Sequence, residues 1–138
     1  MSDPSPEGRE VQEWEAIEAL SQVFRSGDGP AGVRRCEPFL RWLDQQEARV
    51  ERENTSVARV RLNLKITRMY FLAGFVAEAR EDLITSAGPV FAAKRGLGDN
   101  SELFVQAVNL AGLLGMSHEE VLEGWSYLDP DGGQGIEL

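Results

Sequence analysis

The stretch Val60-Arg61-Leu62-Asn63-Leu64-Lys65-Ile66-Thr67-Arg68-Met69-Tyr70-Phe71-Leu72-Ala73-Gly74-Phe75-Val76-Ala77-Glu78-Ala79-Arg80-Glu81-Asp82-Leu83 decides the fold. Its first part carries two apolar stripes at helical spacing. One joins Leu62, Ile66, Met69 or Tyr70, and Ala73, and the other joins Val57, Val60 or Leu64, Phe71 and Phe75. Side chains three and four apart share a helix face, so only Arg61, Lys65 and Arg68 form a continuous polar stripe. A helix that is apolar on more than one side is packed on more than one side, which makes this third helix, about residues 56–73, central. Gly74 supplies a tight turn. A fourth helix then begins near Val76 and ends near Ser86, where Ala87-Gly88-Pro89 breaks the pattern, with a short helical turn at Val90–Arg95 before Gly96 and Gly98.

Toward the N-terminus, a first helix is expected over about 9–26, where Val11, Trp14, Ile17, Leu20 or Ser21, and Phe24 follow helical spacing. The run Gly27-Asp28-Gly29-Pro30-Ala31-Gly32 stops it with turn residues. A second helix, about Val33 to Val50, buries Cys36, Phe39, Leu40 and Leu43 and turns Arg34, Arg41, Asp44 and Arg49 to water. From Gln45 to Asn54 the chain is almost wholly polar. Either the helix projects there or the chain turns near Asn54-Thr55-Ser56, and one long helix stays open because no Gly or Pro intervenes between Pro38 and Gly74.

Toward the C-terminus, Asp99 or Ser101 caps a fifth helix whose apolar positions are Leu103, Val105 or Gln106, Val108, Leu110, Leu113 and Leu114, ending at Gly115. Ser117 and Glu120 repeat the capping-box spacing and open a sixth, with Val121, Leu122, Trp125 and Leu128 as its apolar residues. Pro130-Asp131-Gly132-Gly133 ends regular structure. Strand signals are absent, so the expected fold is all-α, six helices in three antiparallel hairpins, arranged as a repeat array or as a compact bundle. The expected organisation is a flexible N-terminus over 1–8, one helical domain over 9–129 and a flexible acidic tail over 130–138.

A chain of 138 residues buries enough surface to fold without disulfides or a structural metal. Cys36 is the only cysteine, and beside Phe39 and Leu40 it suits a small buried position. No leader pattern and no long apolar run occurs, so a cytoplasmic location is expected, with no membrane partner. The 23 acidic residues outnumber the 14 basic ones, which disfavours a nucleic-acid partner. The acids are unevenly placed: residues 96–138 hold eight acidic side chains and no basic one, whereas Asn54–Ala77 holds Arg59, Arg61, Lys65 and Arg68 and no acid. A basic patch on an acidic protein favours an acidic partner segment or the protein's own acidic end.

The hairpin around Gly74 resembles one tetratricopeptide repeat, a two-helix unit of about 34 residues. With Val60 as its first position, Ile66, Tyr70, Gly74, Ala79, Leu83 and Ala87 carry the resemblance. Asn63 and Thr67 depart from it, standing where the family has a large aromatic and a small residue, and Gly88-Pro89 comes earlier than the family's terminal proline. The pair near 101–128 fits only with one inserted residue after Gly115. The resemblance implies a concave surface lined by the first helix of the unit, with Arg61, Leu64, Arg68, Phe71 and Leu72 as exposed groove positions, to which the charge pattern adds Lys65. Arginine's planar fork suits carboxylates, and Phe71 and Leu72 add apolar contact, so the implied ligand is an acidic peptide or a C-terminal carboxylate.

Catalytic signals are sparse. His118 is the only histidine and stands in a helix start, so no metal site is implied. Glu78 and Asp82, four apart, share a helix face that a Mg²⁺-dependent hydrolase would need, yet no second compact acidic cluster accompanies them. Asp129-Pro130-Asp131-Gly132-Gly133 resembles the start of a calcium loop but lacks its later ligands. No cofactor is implied, and the chain is expected not to be an enzyme. The leading expectation is a protein- or peptide-binding adaptor or scaffold. The alternative is a structural homo-oligomer with Trp14, Trp42 and Trp125 as seam candidates.

Overall fold

The computed structural model describes residues 10–93 and 101–128, and within them the protein is all-α, with seven helices and no strand. These are α1 (Glu13–Ser26), α2 (Gly29–Val33), α3 (Glu37–Glu53), α4 (Ser56–Ala73), α5 (Val76–Phe91), α6 (Ser101–Leu113) and α7 (His118–Leu128). The expected loose N-terminus, the Asp99 cap, the Gly96-Leu97-Gly98 break, the residues 129–133 and the acidic tail lie outside the described residues.

The two-sided α4 organises the molecule. On one side Ala58, Leu62, Met69 and Ala73 join Ala16 and Leu20 of α1 and Phe39, Trp42 and Val50 of α3 in one core. On the other, Val60 and Leu64 join Ala79, Leu83, Ala87 and Val90 of α5, Leu103, Ala107 and Leu110 of α6, and Val121 of α7 in a second. Tyr70 packs against both. Between α4 and α5, Thr67 and Ser86 are both buried and their hydroxyls hydrogen bond at 3.0 Å, while Thr67 also donates to the Asn63 carbonyl.

Local chemistry sets most boundaries. Asn54 closes α3 in the left-handed region at φ 50°, and the Thr55 hydroxyl accepts from the Ala58 amide to open α4. Of the alternatives left open for this region, the turn near Asn54-Thr55-Ser56 is the one found, with two helices on either side of it. Gly74 closes α4 at φ 105°, a value that favours glycine, and the Phe24 ring lies against it. Ser117 and Glu120 form the expected capping box, each side chain accepting from the other residue's amide at 3.1 Å.

Other expectations are corrected. The Gly27–Gly32 run contains the short helix α2, with Pro30 in its first turn, where a missing N–H costs nothing. The fourth helix does not stop near Ser86 but runs through Gly88-Pro89 to Phe91. All of Ser86–Val90 is buried, and Gly88 lets Trp125 of α7 lie directly on the helix. That burial offsets the roughly 3 kcal/mol that an interior proline costs. α7 packs on α5 more than on α6, unlike the partner helix of a simple hairpin.

The phases of α1 and α3 also shift. Ala16 and Leu20 are buried in α1, leaving Trp14 62% and Phe24 48% exposed. In α3 the indole of Trp42 takes the interior position and Leu40 faces outward. Trp42 is buried within the fold and Trp125 is part-buried, so of the three tryptophans Trp14 is the exposed one. No described helix is long and apolar enough to cross a membrane.

Candidate functional site

Arg61, Lys65 and Arg68 keep the spacing of four and three along α4, so they point the same way. α1 and α6 both pack on α4, and the stripe emerges between them. There it lines a cleft of about 440 Å³ together with Glu13 of α1, Leu64 of α4, and Gln106, Asn109, Leu110 and Leu113 of α6. Leu64 and Leu110 are buried and make an apolar floor, Leu113 is an exposed apolar side chain, and the amides of Gln106 and Asn109 offer donors and acceptors beside the cations.

Each cation of the stripe already faces a carboxylate. Arg68 Nη1 donates to Glu13 Oε1 at 3.1 Å and Lys65 Nζ lies 3.8 Å from Glu13 Oε2, while Arg61 Nη2 donates to Glu102 Oε1 at 2.9 Å. Glu13 therefore answers two cations at once. Arg59, the fourth cation of the acid-free segment, sits apart and holds both carboxylate oxygens of Glu47.

The six residues expected to form the groove separate. Arg61, Lys65, Arg68 and Leu64 come together at the cleft, but Leu64 is its buried floor, not an exposed position. Phe71 is part-buried against the second core, and Leu72 is exposed away from the cleft lining. The sequence reading missed Glu13, Glu102, Gln106, Asn109 and Leu110 as site residues. Gln106, Asn109, Leu110 and Leu113 stand three, four and seven apart, which places them on one side of α6, but nothing local says that this side meets α4.

The acidic side of α5 is different in character. Burial, with Glu81 adding to it, pushes the Asp82 carboxyl up to about 6. Burial raises the Tyr70 phenol as well, and the Asp82 and Glu78 carboxylates add to that. Among the described residues no three His, Cys, Asp or Glu side chains converge as a metal-holding group. His118 stacks on Phe91, ring centroids 4.2 Å apart, and Cys36 is a buried thiol. Comparison with family models, with curated proteins and with solved structures finds no match to this chain.

Proposed function

We propose that the protein is an adaptor whose α1–α4–α6 cleft receives an acidic, partly apolar segment of a partner protein. The observation that carries this reading is the cleft's composition: three cations at the rim, two carboxylates to answer them, and a leucine floor below. A peptide carboxylate can replace Glu13 or Glu102 at small expense, because exposed ion pairs of this kind are worth about 0.2–1 kcal/mol each. Arg61 and Arg68 fix carboxylate geometry through their planar forks, Lys65 adds a compact charge, and an apolar peptide side chain gains by covering Leu64, Leu110 and Leu113. The tetratricopeptide-like reading of α4–α5 points the same way, since the first helix of such a unit faces the ligand.

The test is fluorescence anisotropy with labelled peptides in which Asp or Glu flank Leu or Phe. Arg61→Glu with Arg68→Glu should weaken the tightest of these by more than about tenfold, since each reversal places like charges in contact. The far-ultraviolet circular dichroism should stay unchanged and the melting temperature should fall by only a few degrees, since the exposed pairs to Glu102 and Glu13 are lost. No binding by the native chain to any acidic peptide, or binding that survives the double reversal, removes the proposal.

A further inference from the structure

The cations of α4 have a hollow on each flank. At about 100° per residue along an α-helix, Leu64 falls on one side of the Arg61–Lys65–Arg68 stripe, and Ala58 and Leu62 fall on the other. The Leu64 side is the cleft of about 440 Å³. On the Ala58 and Leu62 side, α3 and α4 border a smaller cavity of about 190 Å³, and Arg61 and Lys65 line it as well. These two cations are thus a common wall between the cavities. Both hollows have buried apolar floors, Leu64 and Leu110 in the larger, and Val50, Ala58 and Leu62 in the smaller. Each floor belongs to a different core.

Charge selects what crosses the wall. The smaller cavity takes a third cation, Arg49 of α3, and among its described lining residues Glu53 is the one carboxylate. Two of the cations are loosely held: Arg49 lies 3.5 Å from Glu10, and Lys65 lies 3.8 Å from Glu13. Arg61 donates to Glu102 at 2.9 Å, and a guanidinium carries five donors, so it can serve a second carboxylate. A carboxylate set between Arg61 and Lys65 meets two cations at once.

Resting on the acidic-peptide reading of the cleft, we propose that the ligand crosses α4 over this wall and fills both hollows. It is an extended segment with an acidic residue at its centre and an apolar residue two positions away on each side, a large one for the cleft and a small one for the α3–α4 cavity. Extended-chain geometry sets that spacing. Residues two apart point the same way, and four residues of extended chain span about 13 Å, enough to pass over a helix about 10–12 Å wide. The central acid meets Arg61 and Lys65, Leu or Phe covers Leu64, Leu110 and Leu113, and Val covers Val50, Ala58 and Leu62.

Fluorescence anisotropy on the full chain with labelled Leu-Ser-Asp-Ser-Val, and with the same residues in reverse order, tests this. In the tighter of the two, replacing Val by Ser should weaken binding about fivefold, the apolar burial being lost. Replacing Val by Phe should weaken it too, since the smaller cavity has no room for the ring, and moving Asp next to Leu should weaken it by turning the acid away from the wall. Gln46 lines the smaller cavity and is part-exposed, so Gln46→Trp fills that cavity and should abolish the advantage of Val over Ser while the Leu still contributes. The peptide series needs no variant and holds even where Gln46→Trp fails to fold. Equal affinity for the Val, Ser and Phe peptides, or a Val advantage that survives Gln46→Trp, overturns the second hollow and leaves the acidic-peptide reading standing. No binding of any acidic peptide overturns both.

Discussion

Glu13 holds Lys65 and Arg68 with one carboxylate, and its side chain is only partly exposed. Neutralising it as Glu13→Gln removes two exposed ion pairs, so denaturant unfolding should show a loss of less than about 1 kcal/mol. The same change frees both cations, and affinity for an acidic peptide should rise a few-fold in the anisotropy measurement. A larger stability loss without an affinity gain would mark Glu13 as a tie between α1 and α4 and nothing more. Asp82 makes a prediction of opposite kind. Its carboxyl is raised from an ordinary 3.8 to about 6, so between those values the folded state holds more protons than the unfolded one. Stability therefore falls as pH rises through that window and is lowest above it. Asp82→Asn should flatten this slope and raise Tm at neutral pH by a few degrees, consistent with a contribution on the order of 1 kcal/mol after solvent screening.

At the scale of elements, the join between α5 and α7 depends on two glycines without left-handed backbone. A Cβ at Gly88 would lie 2.7 Å from the Trp125 Cβ and Cγ, and one at Gly124 would meet the end of the Ile84 side chain at 2.8 Å. Trp125 presents a rigid ring and Ile84 a movable methyl. Gly88→Ala should cost about 1–3 kcal/mol in urea unfolding and Gly124→Ala less, because overpacking against an immobile neighbour cannot relax. Equal costs would show that the Trp125 ring shifts freely. Element boundaries with local causes were legible in the sequence. The Gly74 turn and the Ser117–Glu120 box each rest on residues within one turn of the boundary, whereas the stop at Asn54 was one of the alternatives the sequence left open. The continuation of α5 through Pro89 was not legible, because the compensating contact comes from Trp125, far along the chain. For the same reason Trp14 and Trp42 exchanged places. Both satisfy helical spacing, and only the neighbours of α1 and α3 decide which side turns inward.

At the scale of the whole molecule, the cleft should answer salt. Cleft binding is an attraction between unlike exposed charges and should weaken as ionic strength rises. Peptide affinity measured over a salt series checks this. The sequence by itself determined the all-helical class, the centrality of α4 and the basic stripe, because side-chain periodicity and a run without acids are properties of consecutive residues. Tertiary structure alone decided that Leu64 is a floor and that Glu13 and Glu102 answer the stripe. These depend on which helix faces meet across intervals of 41 and 55 residues, and no local propensity carries that information.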